Sequence, residues 1–352
     1  MSTMRAAVLH GNKDLRLENV QRPTLNENEV LIKIAYNGLC GTDASEYAKG
    51  PFMVPLSAPH PGSGHQGPTV LGHEFIGTVI EAGASAQEML GKRVACGAGV
   101  SCGKCKMCTS GRTNLCASYY TLGLSWNGGL AEFAAAPKDI CVPIPDDCID
   151  EYAALTQPLA VGIHAVKRAG VVKGDRVVLL GVGAIGSFVC VALQKLGVDI
   201  TAVDVDQKRL DIALKLGAKK AVLISKEIMP QELLTAIGHQ SEVVFETSGA
   251  PGAGARALAI TNQGGTLMLL GLNKIPQEFP FFDAVLREVT LQTTVAHVCK
   301  DDMPEAIQLL KSGVVAKLLT DRVVHLENAV EAFEDLVAGR ASGKILVSPT
   351  HG

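Results

Sequence analysis

The sequence predicts an α/β protein of two domains, a doubly wound parallel sheet placed between two pieces of a β-rich domain. Three observations predict it. The length of 352 residues is too great for one ordinary core and fits two domains. Near residue 175 the rhythm changes from β-rich to alternating strand and helix, and beyond about 297 it changes again. The expected division is 1–156 with 297–352 for the β-rich domain, and 157–296 for the parallel one.

In the first part Val30, Ile32, Ile34 and Tyr36 alternate with other residues, as on a half-buried strand. The stretch 50–69 is so rich in Pro and Gly that regular structure is not expected there. From residue 176 RVVLL reads as a strand, followed by a Gly-rich turn and a helix from Ala184 to Leu196 that Gly197 stops. ITAVD (200–204) is a second strand, QKRLDIALKL a helix stopped by Gly217, and AVLI (221–224) a third strand. EVVFE (242–246), TLMLL (266–270) and VTLQTTV (289–295) supply three more. Strands alternating with helices are the mark of a parallel, doubly wound sheet. The last segment reads as a helix (Glu305–Lys311), a VVHL strand, a second helix and a KILV strand.

Composition narrows the partners. Hydrophobic residues make up 47 % and charged ones 19 %, the balance of a folded globular chain. A net charge of -3 gives no electrostatic reason to expect nucleic acid or an anionic membrane. No apolar run is long enough to span a bilayer, and the start, MSTMRAAVLHGNKDLRLENV, lacks the apolar core of a secretory signal. A cytoplasmic location and a small-molecule substrate are expected.

The turn after the first parallel strand reads Gly181, Val182, Gly183, Ala184, Ile185, Gly186. GxGxxG between a strand and a helix allows a tight turn, close approach of backbone to a pyrophosphate, and close helix–strand packing. Asp204 closes the second strand 18 residues after Gly186. A carboxylate there accepts hydrogen bonds from ribose hydroxyls and repels a 2′-phosphate, so NAD is expected over NADP. Lys208 and Arg209 lie close by and would tolerate a phosphate, and Arg209 joins the cofactor-binding candidates.

Of ten cysteines, Cys102, Cys105, Cys108 and Cys116 crowd into one short polar stretch containing Lys104, Lys106 and Arg112. Near neighbours rarely reach disulfide geometry, and four thiolates close a tetrahedron around Zn²⁺ with no open position. An iron–sulfur run would have a shorter last gap and a following Pro. A structural zinc is expected. Cys40 in GLCGTD and His73-Glu74 in GHEFIG offer a thiolate, an imidazole and a carboxylate, enough for a catalytic zinc with one open place. Taken singly, each has a duller reading as a buried Cys, a core His or a solvated Glu.

GHEFIGTVIEAGASA resembles the zinc signature of the medium-chain, zinc-containing alcohol dehydrogenase superfamily. GLCGTD, CGKCKMC, QPLAVGIHA and GVGAIG follow that family's pattern over essentially the whole chain. The sorbitol dehydrogenase and 2,3-butanediol dehydrogenase branch is the most similar. The resemblance implies a GroES-like catalytic domain and a Rossmann domain, two zinc ions and NAD, and a homodimer or homotetramer. It implies that Cys40, His73 and Glu74 hold the catalytic zinc, that Asp43 fixes the His73 tautomer, and that Thr42 passes the alcohol proton outward. The chain departs from the branch at Gln157, where Glu is usual, and at Ser45, where His is frequent. A neutral amide is a poorer zinc ligand than a carboxylate, so Gln157 binds zinc weakly, through water or not at all, and beyond Thr42 the proton exit falls to Ser45, Glu46 or the cofactor ribose.

The implied reaction moves a hydride between a secondary alcohol, a vicinal diol or polyol, and NAD. Two rivals stand beside it: an NADP-dependent aldehyde or ketone reductase of the same superfamily, and a non-enzymatic dinucleotide-binding protein whose catalytic zinc site has decayed. Trp126, His60 and His65 are weaker candidates for the substrate cleft. Cys96, Cys141, Cys148, Cys190 and Cys299 read as small buried residues.

Overall fold

The computed structural model describes residues 2–273 and 275–350. It divides into two compact units, Met1–Gln157 with Val298–Gly352, and Pro158–His297.

The first unit begins with β1 (Thr3–Gly11), β2 (Asp14–Gln21) and β3 (Glu29–Gly38). Helix α1 (Gly41–Lys49) follows, started by the Asp43 carboxylate accepting the Cys40 N–H at 3.2 Å. Residues 50–68 form no regular element, as their Pro and Gly content requires. Next come β4 (Thr69–Val70), β5 (Glu74–Ala82), β6 (Arg93–Cys96), β7 (Gly99–Val100), the single turn α2 (Lys106–Thr109) and β8 (Tyr120–Thr121). The β7–β8 pairing, with Val100 opposite Tyr120, clasps the loop that carries the four clustered cysteines. β9 (Phe133–Pro137), β10 (Cys141–Pro143) and α3 (Asp150–Ala153) complete this stretch, and α4 (Thr156–Ala169) leads into the second unit.

The second unit is the predicted parallel sheet. Its strands are β11 (Arg176–Leu180), β12 (Asp199–Asp204), β13 (Lys220–Leu223), β14 (Ser241–Glu246), β15 (Thr261–Leu269) and β16 (Thr290–Thr293). Between them run α5 (Ala184–Gln194), α6 (Gln207–Lys215), α7 (Pro230–Ile237), α8 (Ala253–Ala259) and α9 (Phe281–Leu286). The order β13-β12-β11-β14-β15-β16, with every pair parallel, is a doubly wound arrangement. Buried Val178, Leu180, Val203, Leu233, Val244 and Leu267 form a core of this unit.

The chain then returns to the first unit through α10 (Cys299–Leu310), α11 (Val314–Leu319), β17 (Thr320–His325), α12 (Ala329–Val337) and β18 (Lys344–Ser348). Helix α10 starts six residues before the expected Glu305 and runs through Pro304. The Asp302 carboxylate accepts the Val298 N–H at 2.8 Å and so anchors this earlier start. β18 inserts between β3 and β17, so the sheet order is β10-β6-β5-β3-β18-β17, with β9 also paired to β3. Leu39, Tyr47, Leu71, Phe333 and Val347 of β18 share a buried core of this unit, with the rings of Tyr47 and Phe333 5.8 Å apart. Among the described residues no helix is long and apolar enough to cross a membrane.

Candidate functional site

Three elements of the first unit bring Cys40, His73 and Glu74 together. β3 delivers Cys40 to the start of α1, while His73 precedes β5 and Glu74 opens it, opposite Gly38 in register. Their sulfur, nitrogen and oxygen ligand atoms all lie within 4.8 Å of one another. Asp43, fully buried, holds two of them at once: one oxygen accepts the Cys40 N–H, and the other lies 3.0 Å from His73 Nδ1. A carboxylate only accepts, so Nδ1 carries a proton, and Nε2 is the ring nitrogen that a metal would take by displacing the second proton.

The charges here call for a cation. Burial opposes a charge on His73, yet Asp43 and Cys40 beside it raise its pKa well above the ordinary value. Glu74, 1 % exposed, is met by the Lys344 ammonium at 2.5 Å from each carboxylate oxygen. Burial opposes the charge of Lys344 as well, and Glu74, with Cys40 and Asp43, outweighs it to raise the lysine pKa. Among the described residues Lys344 is the cation that meets Glu74, and a thiol, an imidazole and a carboxylate together form a soft-plus-hard donor set that fits Zn²⁺.

The second cluster lies in the loop between β7 and β8. The sulfurs of Cys102, Cys105, Cys108 and Cys116 also lie within 4.8 Å of one another. Backbone N–H groups aim at them: Cys102 and Ser118 donate to the Cys116 sulfur at 3.2 and 3.3 Å. The N–H groups of Cys108 and Ala117 lower the Cys105 thiol to about 6, while burial raises Cys108 to about 11. Exposed Lys104, Lys106 and Arg112 surround the loop and offset the surplus negative charge of a tetrathiolate. Four converging sulfurs with N–H donors fit zinc with no place left open.

In the second unit the Gly181–Gly186 turn joins β11 to α5. Gly181 has φ of 94°, which disfavours any side chain, and a Cβ on Gly186 would meet the Gly181 carbonyl at 2.1 Å. Thr247 Oγ1 donates to that same carbonyl. Asp204 is 5 % exposed and accepts the N–H groups of Val182 (2.8 Å), Val205 (2.8 Å) and Asp206 (3.0 Å), with Arg209 3.7 Å away. A cavity of about 490 Å³ opens beside it, lined by Gly181, Asp204, Arg209, Ile224, Ser248 and Arg256.

The remaining candidates have plainer uses. Glu46 is not free to carry protons: its buried carboxylate accepts the N–H groups of Phe52, Met53 and Val54 and anchors the irregular stretch. Ser45 is exposed and donates to the Gly41 carbonyl at 2.9 Å, while Thr42 is half-buried on the first turn of α1. His60 accepts the Gly62 and Ser63 N–H groups, and His65 stacks edge-on against Trp126 at 5.5 Å, so both organise their own loop. Gln157 is half-buried in the first turn of α4.

Comparison with known proteins bears on the same residues. The model of the alcohol dehydrogenase GroES-like domain matches residues 26–146, and that of the zinc-binding dehydrogenases matches 184–312. Sorbitol dehydrogenase of Bombyx mori is 32 % identical, over 93 % of this chain and all of the relative. (R,R)-Butanediol dehydrogenase of Bacillus subtilis is 30 % identical, over 98 % of this chain and all of the relative. The chain belongs to the zinc-containing medium-chain alcohol dehydrogenase superfamily. A solved 2R,3R-butanediol dehydrogenase from Bacillus subtilis superposes on this dehydrogenase with a TM-score of 0.90 at 30 % identity, covering 99 % of this chain and 100 % of that one. The superfamily expectation is therefore borne out, as is the pairing of a GroES-like domain with a doubly wound one. Lys344 is the residue of the Cys40 site that sequence reasoning missed; the only signal for it was a lysine opening an apolar strand.

Proposed function

We propose that the protein is an NAD-linked, zinc-dependent dehydrogenase of vicinal diols or polyols, converting a secondary alcohol to its ketone. The convergence of Cys40, His73 and Glu74 carries this reading, in a chain similar to enzymes named for sorbitol and butanediol. Zinc held there would supply a Lewis acid for the substrate oxygen, and NAD a hydride acceptor. Cys40 and His73 are the ligands that Asp43 orients; Glu74 is the carboxylate ligand, and Gln157 lends at most an amide oxygen, directly or through water. The Thr42 hydroxyl accepts the alcohol proton while releasing its own, outward to Ser45 or the cofactor ribose. The Gly181–Gly186 turn, with Val182, Ala184 and Ile185, cradles the pyrophosphate; Asp204 takes the ribose hydroxyls and Arg209 flanks them. Cys102, Cys105, Cys108 and Cys116 hold the structural zinc.

The exposed Leu272, Phe281, Phe282, Val285 and Leu286 of the second unit, each more than 60 % accessible, support a homodimer or homotetramer. Ten free cysteines suit a reducing cytoplasm. The test is NADH formation from diols, polyols and simple secondary alcohols, with NAD or NADP, before and after chelation. Chelator-sensitive reduction of NAD by diols or polyols is expected. Preference for NADP overturns the Asp204 assignment, and turnover indifferent to loss of the Cys40-site metal overturns the mechanism.

A further inference from the structure

The ladder between β3 and β18 pairs Leu346 with Gly38 and Val347 with Asn37, and the Leu39 N–H donates to the Ile345 carbonyl at 2.9 Å. Continuing that register sets Lys344 across from Cys40. Its side chain is 6 % exposed, and its three ammonium hydrogens are matched by three acceptors: the two Glu74 oxygens at 2.5 Å and the Leu39 carbonyl at 3.2 Å. The carboxylate is confined as well, since a Cβ on Gly38 would lie 2.6 Å from Glu74 Oε2. Gly38 therefore leaves the room into which the carboxylate fits, and Lys344 grips it from the side of β18.

We propose that Lys344 is a positioning residue of the zinc centre, competing with the metal for the Glu74 carboxylate and so keeping one coordination place exchangeable. The inference rests on the reading that Cys40, His73 and Glu74 hold zinc. A carboxylate shared between an ammonium and a dication gives less of its charge to either. In a buried site neither partner can be replaced by water at low cost, so the sharing is a standing competition rather than a passing contact. With Lys344 in place, Glu74 would hold a metal less tightly and its place would stay open to exchange. Without the ammonium, the whole charge of Glu74 would be available to the metal, which would be held tighter.

The experiment is a double-mutant cycle read by metal retention. Full-length, zinc-loaded wild type, Lys344→Met, Glu74→Gln and the double variant are equilibrated against a competing chelator. Zinc is counted per chain, and Cys40→Ser marks which ion leaves. Lys344→Met is expected to hold the Cys40-site zinc about tenfold more tightly, equivalent to about 1.4 kcal/mol, and to turn over more slowly. In the Glu74→Gln background the same change is expected to alter retention less than about twofold. Equal tightening in both backgrounds would mean simple repulsion between Lys344 and the ion, and overturns the proposal; so does weaker retention in Lys344→Met. Should the methionine variant not fold, Lys344→Gln keeps hydrogen-bond donors without the charge and is read in the same way. If Cys40→Ser still binds two zinc ions, the site reading itself fails and this inference with it. If Cys40→Ser loses one ion and the Lys344 variants match wild type, only the inference falls.

Discussion

The two cysteine-bearing sites of the first unit are built in opposite ways. The lobe draws all four sulfurs from residues 102–116, and the N–H groups that stabilise them come from the same loop. Its environment is polar and partly exposed, and its charge is offset by neighbours in sequence. The Cys40 site draws on β3, α1, β5 and β18, and the groups that orient it, Asp43 and Lys344, are buried. A local site needs only its loop to form, and binding there is folding energy for that loop. A dispersed site forms only when the sheet is assembled, so the sheet can hold its ligands to a geometry with one place open.

The contrast can be broken by exchanging the consequences of losing one ligand in each site. Cys40→Ser should lose about a thousandfold or more in turnover, with melting shifted by only about 2–3 °C; kinetics and calorimetry on the same sample check both. Cys105→Ser should do the reverse, costing roughly 2–5 kcal/mol in stability by denaturant titration while activity per folded chain stays within about twofold. Lost activity at unchanged melting in Cys105→Ser would exchange the roles of the two sites. Asp43→Asn sharpens the picture with the smallest effect. An amide cannot accept both the Cys40 N–H and the His73 ring proton through two oxygens, and metal affinity should fall about 10–100-fold, measured by chelator competition.

The same contrast sorts what was legible in the sequence. The lobe and the Gly181–Gly186 turn are local, so spacing alone displays their chemistry. The parallel strands were legible because the runs are short and set between helical stretches, with Gly181 and Gly271 closing RVVLL and TLMLL. Cys40, His73 and Glu74 acquire a joint meaning only through resemblance, since nothing in their spacing shows that β3 and β5 pair. Lys344 stands 270 residues from Glu74, and a lysine beginning a strand ordinarily points to water. Glu46 misled for a related reason. It sits near the expected proton path, but three consecutive backbone N–H groups from the following loop occupy its carboxylate. Glu305, where the sequence places the start of α10, directly follows Pro304, whereas the capping carboxylate of Asp302 sets the start at Cys299.

The insertion of β18 beside β3 also sets a timetable. A ribosome adding about 5–20 residues per second needs roughly 15–50 s to travel from Glu74 to Lys344. Throughout that interval the whole parallel unit emerges, while β3, paired by β5 on one side and by β9 only over Glu29–Lys33 on the other, waits with its Asn37–Gly38 end uncovered. A nascent chain stopped short of Lys344 already owns Cys40, His73 and Glu74, yet not the strand that seals them or the ammonium that balances them. On the proposed assignment, loading of that centre would wait for the segment that carries Lys344, whereas the lobe, complete soon after residue 121, could take its ion while translation is still under way.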